Sequence, residues 1–259
     1  MLYKKNNLYI ERVSSISLSK KVRTPFYCYS YKKIEDNINR FKSNFKSIKP
    51  LICFSVKSNN NLHILKIIRS FGLGADVVSK GELLRALKAG INPNKIVFSG
   101  VGKTPEEINF AIKKKILLIN AESHSEVETI ENIAKKNKKK INIGLRLNPN
   151  IDAQTLKKIS TGRNEDKFGI NEKELLKILK AFHNSKHLKI KCLSVHIGSQ
   201  ILDHKPYSKM IKVINNFINK SKYKFEYIDL GGGMGINYNL NKKVLNYKKY
   251  YSEIKKFLK

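Results

Sequence analysis

The stretch Leu51-Ile52-Cys53-Phe54-Ser55-Val56-Lys57-Ser58-Asn59-Asn60-Asn61 sets the frame for the whole chain. A short apolar run ends abruptly in one lysine, a serine and three asparagines. That pattern predicts a buried strand followed at once by a polar turn, with Lys57 delivered to the rim of a pocket. A partly desolvated amine in such a place is available as a nucleophile. Any lysine can end a strand, however, and this chain holds 45 of them. What singles out Lys57 comes from the segments around it.

Downstream the same strand-then-helix pattern repeats. Leu62 to Phe71 reads as a helix, Gly74–Ser79 as a strand and Gly81–Ala89 as a helix. Lys95–Gly100 is a predicted strand, and Thr104-Pro105-Glu106-Glu107 opens a helix with an N-cap, a proline at its first position and acids in its first turn. Strands follow at 116–120, 141–148, 190–197 and 225–230, with helices through Val127, Ile130 and Ile133, over 172–182, 206–218 and 247–258. Upstream, residues 1–24 are polar with short alternating pieces, 24–29 read as extended, and Ile34–Ile48 carries apolar residues at helical spacing. Pro149 to Ile170 is long, irregular and too polar for core, and loops of that length are usually functional or disordered.

Seven βα units in series, each strand apolar on both faces, predict a parallel sheet covered by helices. An unbroken series favours a (β/α)8 barrel of the TIM type over an open sheet, with the eighth unit missing. The expected division is a polar N-terminal segment, 1–24, and a barrel domain, 25–259, incomplete at its C-terminal end.

Composition narrows the function classes. A 41% apolar content suffices for a core and excludes global disorder. The net charge of +32 raises the question of a polyanionic partner. Against it stand 45 lysines to only 7 arginines, arginine being the residue that reads bases and phosphates bidentately. The lysines are scattered, without an aromatic-interleaved stripe, so neither a specific nucleic-acid partner nor a membrane span is expected. Cys28, Cys53 and Cys192 are odd in number and far apart, which suggests no disulfide framework and no metal site and favours a reducing, cytoplasmic setting.

In a barrel, reactive groups gather at the C-terminal ends of the strands. Those ends supply Lys57, Asp76 with Ser79, Ser99, Asn120, Arg146 with Asn148, His196 with Ser199, and Asp229 with Gly231-Gly232-Gly233. The glycines let backbone N–H groups approach a phosphate, although a Gly-rich turn alone could be only a tight turn. His196 precedes a Gly-Ser turn, where its ring can face a planar ligand and Ser199 can bond a phosphate. The other five histidines read as structural. A lysine for a Schiff base, a stacking ring and a phosphate cradle together specify a planar, aromatic, phosphorylated aldehyde, and pyridoxal 5'-phosphate fits.

Six motifs, in order, carry a resemblance: Phe54-Ser55-Val56-Lys57-Ser58-Asn59, Ala75-Asp76-Val77-Val78-Ser79-Lys80-Gly81-Glu82, Leu145-Arg146-Leu147-Asn148-Pro149, Ser160-Thr161-Gly162 with Lys167-Phe168-Gly169, His196-Ile197-Gly198-Ser199-Gln200, and Gly231-Gly232-Gly233. With them the chain resembles the fold-type III pyridoxal-phosphate decarboxylases, whose barrel is of the alanine racemase type, and within that group the diaminopimelate decarboxylase branch. The resemblance implies that Lys57 forms the Schiff base, that His196 stacks on the pyridine ring, and that Ser199 and Gly231, Gly232 and Gly233 hold the phosphate. Asp76, Glu82 and Arg146 would support the cofactor shell. It also implies decarboxylation of meso-diaminopimelate to L-lysine in a homodimer. Ornithine, arginine or carboxynorspermidine as substrate, or a non-catalytic cofactor-binding barrel, stay open.

Two departures from the family pattern stand out. Lys80 occupies a position where the family usually has glycine, which reads as a tolerated surface change. The family's Glu-Pro-Gly-Arg motif on an eighth strand, and the β-rich C-terminal domain after it, are not in the sequence. The chain is therefore expected to be the N-terminal barrel portion of a longer enzyme, with impaired activity by itself.

Overall fold

The alternation of apolar runs and amphipathic segments folds into strand–helix units laid down in chain order. The structure, a computed structural model, describes residues 2–153, 161–163, 168–238 and 245–258. Two compact units emerge, Met1–Pro50 and Leu51–Lys259.

The first unit contains strands β1 (Leu2–Lys4), β2 (Asn7–Ile10) and β3 (Val13–Ser14) in an antiparallel meander, then helices α1 (Ser15–Lys21) and α2 (Tyr31–Phe45). Lys5 and Asn6 join β1 to β2 with φ of 45° and 62°. A two-residue connection with both φ positive has the twist of a hairpin turn. These strands go beyond the alternating pieces expected from sequence, because a Lys-Asn turn lacks the glycine that usually announces a hairpin.

In the second unit the strands are β4 (Cys53–Ser55), β5 (Gly74–Val77), β6 (Ile96–Phe98), β7 (Leu118–Ala121), β8 (Ile141–Arg146), β9 (Leu188–Ser194) and β10 (Tyr227–Asp229). Between and after them run α3 (Leu62–Ser70), α4 (Lys80–Lys88), α5 (Pro105–Lys114), α6 (His124–Lys136), α7 (Glu172–Ala181), α8 (Lys205–Ser221) and α9 (Tyr247–Phe257). Helix α5 starts as its sequence predicts: the Thr104 side chain caps the Glu107 N–H, Glu107 returns a bond to the Thr104 N–H, and Pro105 takes the first turn. All six strand pairings are parallel, and the sheet order is simply β4 to β10. A doubly wound sheet would reverse its order at a switch point, whereas a monotonic order is that of a barrel wall. The sheet is a curled, TIM-like half-barrel with helices, as expected.

Register sorts the side chains into two faces. One face carries Phe54, Ala75, Val77, Ile96, Phe98, Ile119, Ala121, Ile143, Leu145 and Leu193, and from β5 to β9 these are fully buried. The other face is layered. Its lower layer is an apolar cluster of Val97, Leu118 and Cys192, with Cys53 of β4 packed against it. The charge of Asp229 on β10 acts on Asp76 of β5, five positions away in the sheet, which requires strong curvature. The upper layer, toward the strand C-termini, is polar: Ser55, Asp76, Asn120, Arg146, Ser194 and Asp229.

Two expectations change here. The strands are not apolar on both faces, because they are apolar outward while the last inward position is polar in all but β6, where Ser99 follows just beyond the strand. Among the described residues β4 and β10 are the edge strands, and both are only partly buried. The stretch after Pro149 is not wholly excluded from the core: Ile151, Ala153 and Ile170 are buried. Ser160 and Lys167 of the corresponding motif lie outside the described residues.

Candidate functional site

Lys57 follows β4 on a single 3₁₀ turn, Val56–Ser58, whose first residue is fully buried. Ser58 Oγ donates to the Ser55 carbonyl at 2.7 Å and closes the turn. Asn61 caps α3 by accepting the His63 N–H, which accounts for one of the three asparagines. The Lys57 side chain is exposed rather than partly desolvated, and its ammonium has no hydrogen-bond or ion-pair partner among the described residues. It stands close enough to Asp76 and to His196 for its charge to act on both.

Asp76 ends the inward row of β5. Ser99 Oγ donates to its Oδ1 at 2.7 Å, and Ser55 Oγ to its Oδ2 at 3.4 Å. Burial pushes its carboxyl up to about 6, against the pull of the two hydroxyls and of Lys57 and with the repulsion of Asp229. Glu82, on α4, sits differently. Its carboxylate accepts the Val78 N–H at 2.9 Å while Ser79 caps the Glu82 N–H, so its interactions here are with the start of a helix. Lys80 at that helix start pairs through its ammonium with Glu106 of α5, as a surface position allows.

Arg146 is buried at the end of β8. Its Nη1 reaches Glu122 Oε1 and Oε2 at 2.9 and 3.0 Å, and its guanidinium lies 4.9 Å from the Phe168 ring centroid. Glu122 also accepts the Gly100 N–H at 2.9 Å. Sequence reasoning missed Glu122, although it lies two residues beyond Asn120 and so on the same inward face.

His196 lies two residues beyond the end of β9, not within the strand as expected. Its carbonyl accepts Thr161 Oγ1–H at 2.9 Å and Arg146 Nη2–H at 3.5 Å. Its Nδ1 accepts the Gly232 N–H at 3.2 Å, which puts the ring proton on Nε2. Desolvation, with Arg146 and Lys57 nearby, presses the imidazole down to about 3, so it is neutral at ordinary pH.

The glycine loop is less uniform than its sequence. Gly231 (φ +64°) could not carry a Cβ, which would lie 2.5 Å from the Val195 carbonyl. Gly233 (φ +82°) is tighter still, with the Gly198 carbonyl at 1.8 Å. At Gly232 a Cβ would meet nothing within 4 Å, so this face of the loop is open. The Gly231 N–H goes to Asp229 and the Gly232 N–H to His196, leaving the N–H groups of Gly233 and Met234 without a partner among the described residues. Tyr207 of α8, unforeseen in the sequence, holds the Gly232 carbonyl from behind at 2.9 Å. Ser199 is exposed beside Gly198.

Taken together, the upper layer offers a free primary amine, a neutral ring of fixed tautomer, and a glycine loop with open N–H groups and open space. Those features fit an aldehyde on a flat ring with an anionic tail. They define a barrel of the kind that holds a phosphorylated carbonyl cofactor, and pyridoxal 5'-phosphate is such a molecule.

Residues 31–259 match the family model for the pyridoxal binding domain of pyridoxal-dependent decarboxylases. The chain belongs to that family, whose cofactor is pyridoxal phosphate. It is 46% identical over 220 residues to diaminopimelate decarboxylase of Helicobacter pylori strain J99, covering 83% of this chain and 54% of that protein. To the Aquifex aeolicus diaminopimelate decarboxylase it is 39% identical, covering 91% of this chain and 56% of the other. The crystal structure of the Helicobacter pylori enzyme complexed with L-lysine superposes with a TM-score of 0.90 at 41% identity, covering 94% of this chain and 62% of that one. The chain thus spans about half the length of the curated relatives it matches. Among the described residues no helix is long and apolar enough to cross a membrane.

Proposed function

We propose that this chain supplies the cofactor-binding barrel of a decarboxylase that converts meso-diaminopimelate to L-lysine and CO2. The observation that carries the reading is the convergence of a partnerless Lys57 ammonium, a neutral His196 and the open Gly232–Met234 segment at one end of one barrel. When bound, pyridoxal 5'-phosphate supplies an electron sink for the pair left on the α-carbon as CO2 departs.

The chain's own groups have the following parts. Lys57 Nζ would hold the cofactor through its carbonyl carbon and, as a primary amine free of other partners among the described residues, could accept or deliver a proton there. His196 presents a neutral ring face, and Ser199 with Gly231, Gly232 and Gly233 would seat the phosphate, the Gly233 N–H being unbonded among the described residues. Asp76 balances the Lys57 charge. Arg146, locked to Glu122, fixes the His196 carbonyl and so the ring above it. Glu82 supports the shell at one remove, by holding the turn between β5 and α4.

The substrate assignment is supported by the relatives' names and by the L-lysine in the Helicobacter pylori complex. A homodimer in the cytoplasm completes the reading. Three free cysteines agree with a reducing compartment.

The test is CO2 release from meso-diaminopimelate, ornithine and arginine by protein loaded with pyridoxal 5'-phosphate, alongside Lys57→Ala. Diaminopimelate should be the preferred substrate, and Lys57→Ala should lose both the visible absorbance of the bound cofactor and about 10²–10⁴-fold in rate. Faster turnover of ornithine or arginine would sink the substrate assignment. Unchanged absorbance in Lys57→Ala would sink the cofactor linkage.

A further inference from the structure

Asp229 ends β10 immediately before the glycine loop, and its carboxylate bonds both that loop and the barrel interior. Its Oδ1 accepts the Gly231 N–H at 2.9 Å. Its Oδ2 accepts Ser194 Oγ–H at 3.0 Å and Asn120 Nδ2–H at 3.2 Å. Asn120 reaches it from β7, three strands away, and also donates to Ser99 Oγ at 3.4 Å. The Ser99 hydroxyl is then free to donate to Asp76. One chain of hydrogen bonds therefore runs from the carboxylate beside Lys57 to the carboxylate beneath the glycine loop.

Two features show that the arrangement is kept at a cost. Asn120 is buried, yet its Oδ1 has no partner, and buried polar atoms are seldom left unsatisfied. The opposite amide orientation would set that oxygen against the Asp229 carboxylate, so the cost keeps the N–H on Asp229. Gly144 makes room for it: a Cβ there would lie 2.0 Å from Asn120 Oδ1, and the β8–β9 register shifts at this point.

We propose that Asp229 is a positioning residue that presets the glycine loop for the anionic tail of the cofactor. By taking the Gly231 N–H inward, it leaves the Gly232 N–H for His196 and the next two N–H groups for the anion. Phosphate seat and stacking ring are thereby set by one carboxylate. This inference rests on the cofactor reading above.

The charge of Asp229 is not what the loop needs. A carboxylate behind a phosphate seat repels the phosphate, so an uncharged acceptor should serve as well. In Asp229→Asn the amide oxygen can still take the Gly231 N–H, the Ser194 hydroxyl can turn to accept, and Asn120 can rotate its amide. Asp229→Ala loses the acceptor.

Affinities for pyridoxal 5'-phosphate and for pyridoxal, which lacks the phosphate, are to be measured by the Lys57-dependent absorbance in the parental protein and both variants. Asp229→Ala should lower the preference for the phosphorylated aldehyde by about tenfold, the worth of one hydrogen bond. Asp229→Asn should stay within about threefold of the parent. If Asp229→Ala does not fold, Ser194→Ala loosens the same carboxylate and should move the preference in the same direction by a smaller factor. An unchanged preference in the alanine variants, or equal weakening of both aldehydes, would overturn the proposal. Absence of any Lys57-dependent band in the parent would instead remove the cofactor reading, and this inference with it.

Discussion

Lys57 and His196 stand within electrostatic reach of each other at the same end of one barrel, and they are held in opposite ways. Around Lys57 only the backbone is fixed: Val56 is fully buried and Ser58 closes the turn, while the amine is exposed and unbonded. Around His196 nearly everything is fixed: carbonyl, ring nitrogen, the glycine that meets it, and the tyrosine behind that glycine. The difference suits the chemistry proposed. An amine that must be released from a carbonyl and then reach a reacting carbon needs freedom. A ring face and an anion seat act best when they need not reorganise as charge develops.

The largest effect should come from breaking the fixed side at its deepest point. Glu122→Gln leaves the Arg146 guanidinium buried without its counter-charge. Removing one partner of a buried pair costs about 3–5 kcal/mol, and both side chains here are nearly inaccessible. Denaturant unfolding should show that loss for Glu122→Gln, and less of it when Arg146→Met is added, because no charge is then stranded. An equal or greater loss in the double variant would mean that Arg146 is held by other contacts. A truncation at Lys57, exposed as it is, should move stability by less than about 0.5 kcal/mol.

Within the fixed side, the glycines divide in the same manner. Gly233→Ala meets both a +82° φ and the Gly198 carbonyl at 1.8 Å. Strain of that kind costs on the order of 1–3 kcal/mol. Gly232→Ala meets only open space, so it should leave the unfolding midpoint unchanged and still weaken pyridoxal 5'-phosphate. A thermal melt with and without cofactor separates the two. If Gly232→Ala melts early in the cofactor-free protein, the open face has a structural purpose, and the contrast fails.

This division also marks what the sequence discloses. The strand order and helix starts are local matters of period and capping, and Thr104-Pro105-Glu106-Glu107 announces its helix in four residues. Lys57, Asp76, Arg146 and His196 are found by asking which residues end strands. Glu122 and the two-residue displacement of His196 are not, because a strand's end is set by where its partner's hydrogen bonds stop rather than by the apolar run. Tyr207 and the Asn120–Asp229 bond are long-range contacts, 25 and 109 residues apart in the chain. No local pattern encodes them. The exposure of Lys57 was equally out of reach, since an apolar run says that a strand is buried and nothing about how far a side chain beyond it extends.

The effect that nearly vanishes in the parent protein is also the most diagnostic, because the two sides should drive stability in opposite directions with pH. His196 falls from an ordinary 6.5 to about 3 in the folded protein. Between those values the unfolded chain binds more protons, so stability rises with pH and is lost as pH falls below about 6.5. Asp76 rises from 3.8 to about 6. Between those values the folded chain binds more protons, so its contribution is full below about 4 and is lost as pH rises through about 6. Each slope amounts to about 1.4 kcal/mol per pH unit at most, and from pH 4 to 6 the two cancel. Unfolding free energies of the cofactor-free protein at pH 4, 5 and 6 should therefore show Asp76→Asn becoming more stable with rising pH relative to the parent. His196→Asn should become less stable over the same range. Parallel curves for parent and both variants would mean that neither group is desolvated in solution. If both variants bend as expected, the Lys57 side is desolvated beneath its exposed amine as the His196 side is, and the freedom of this site is confined to the one side chain that has to move.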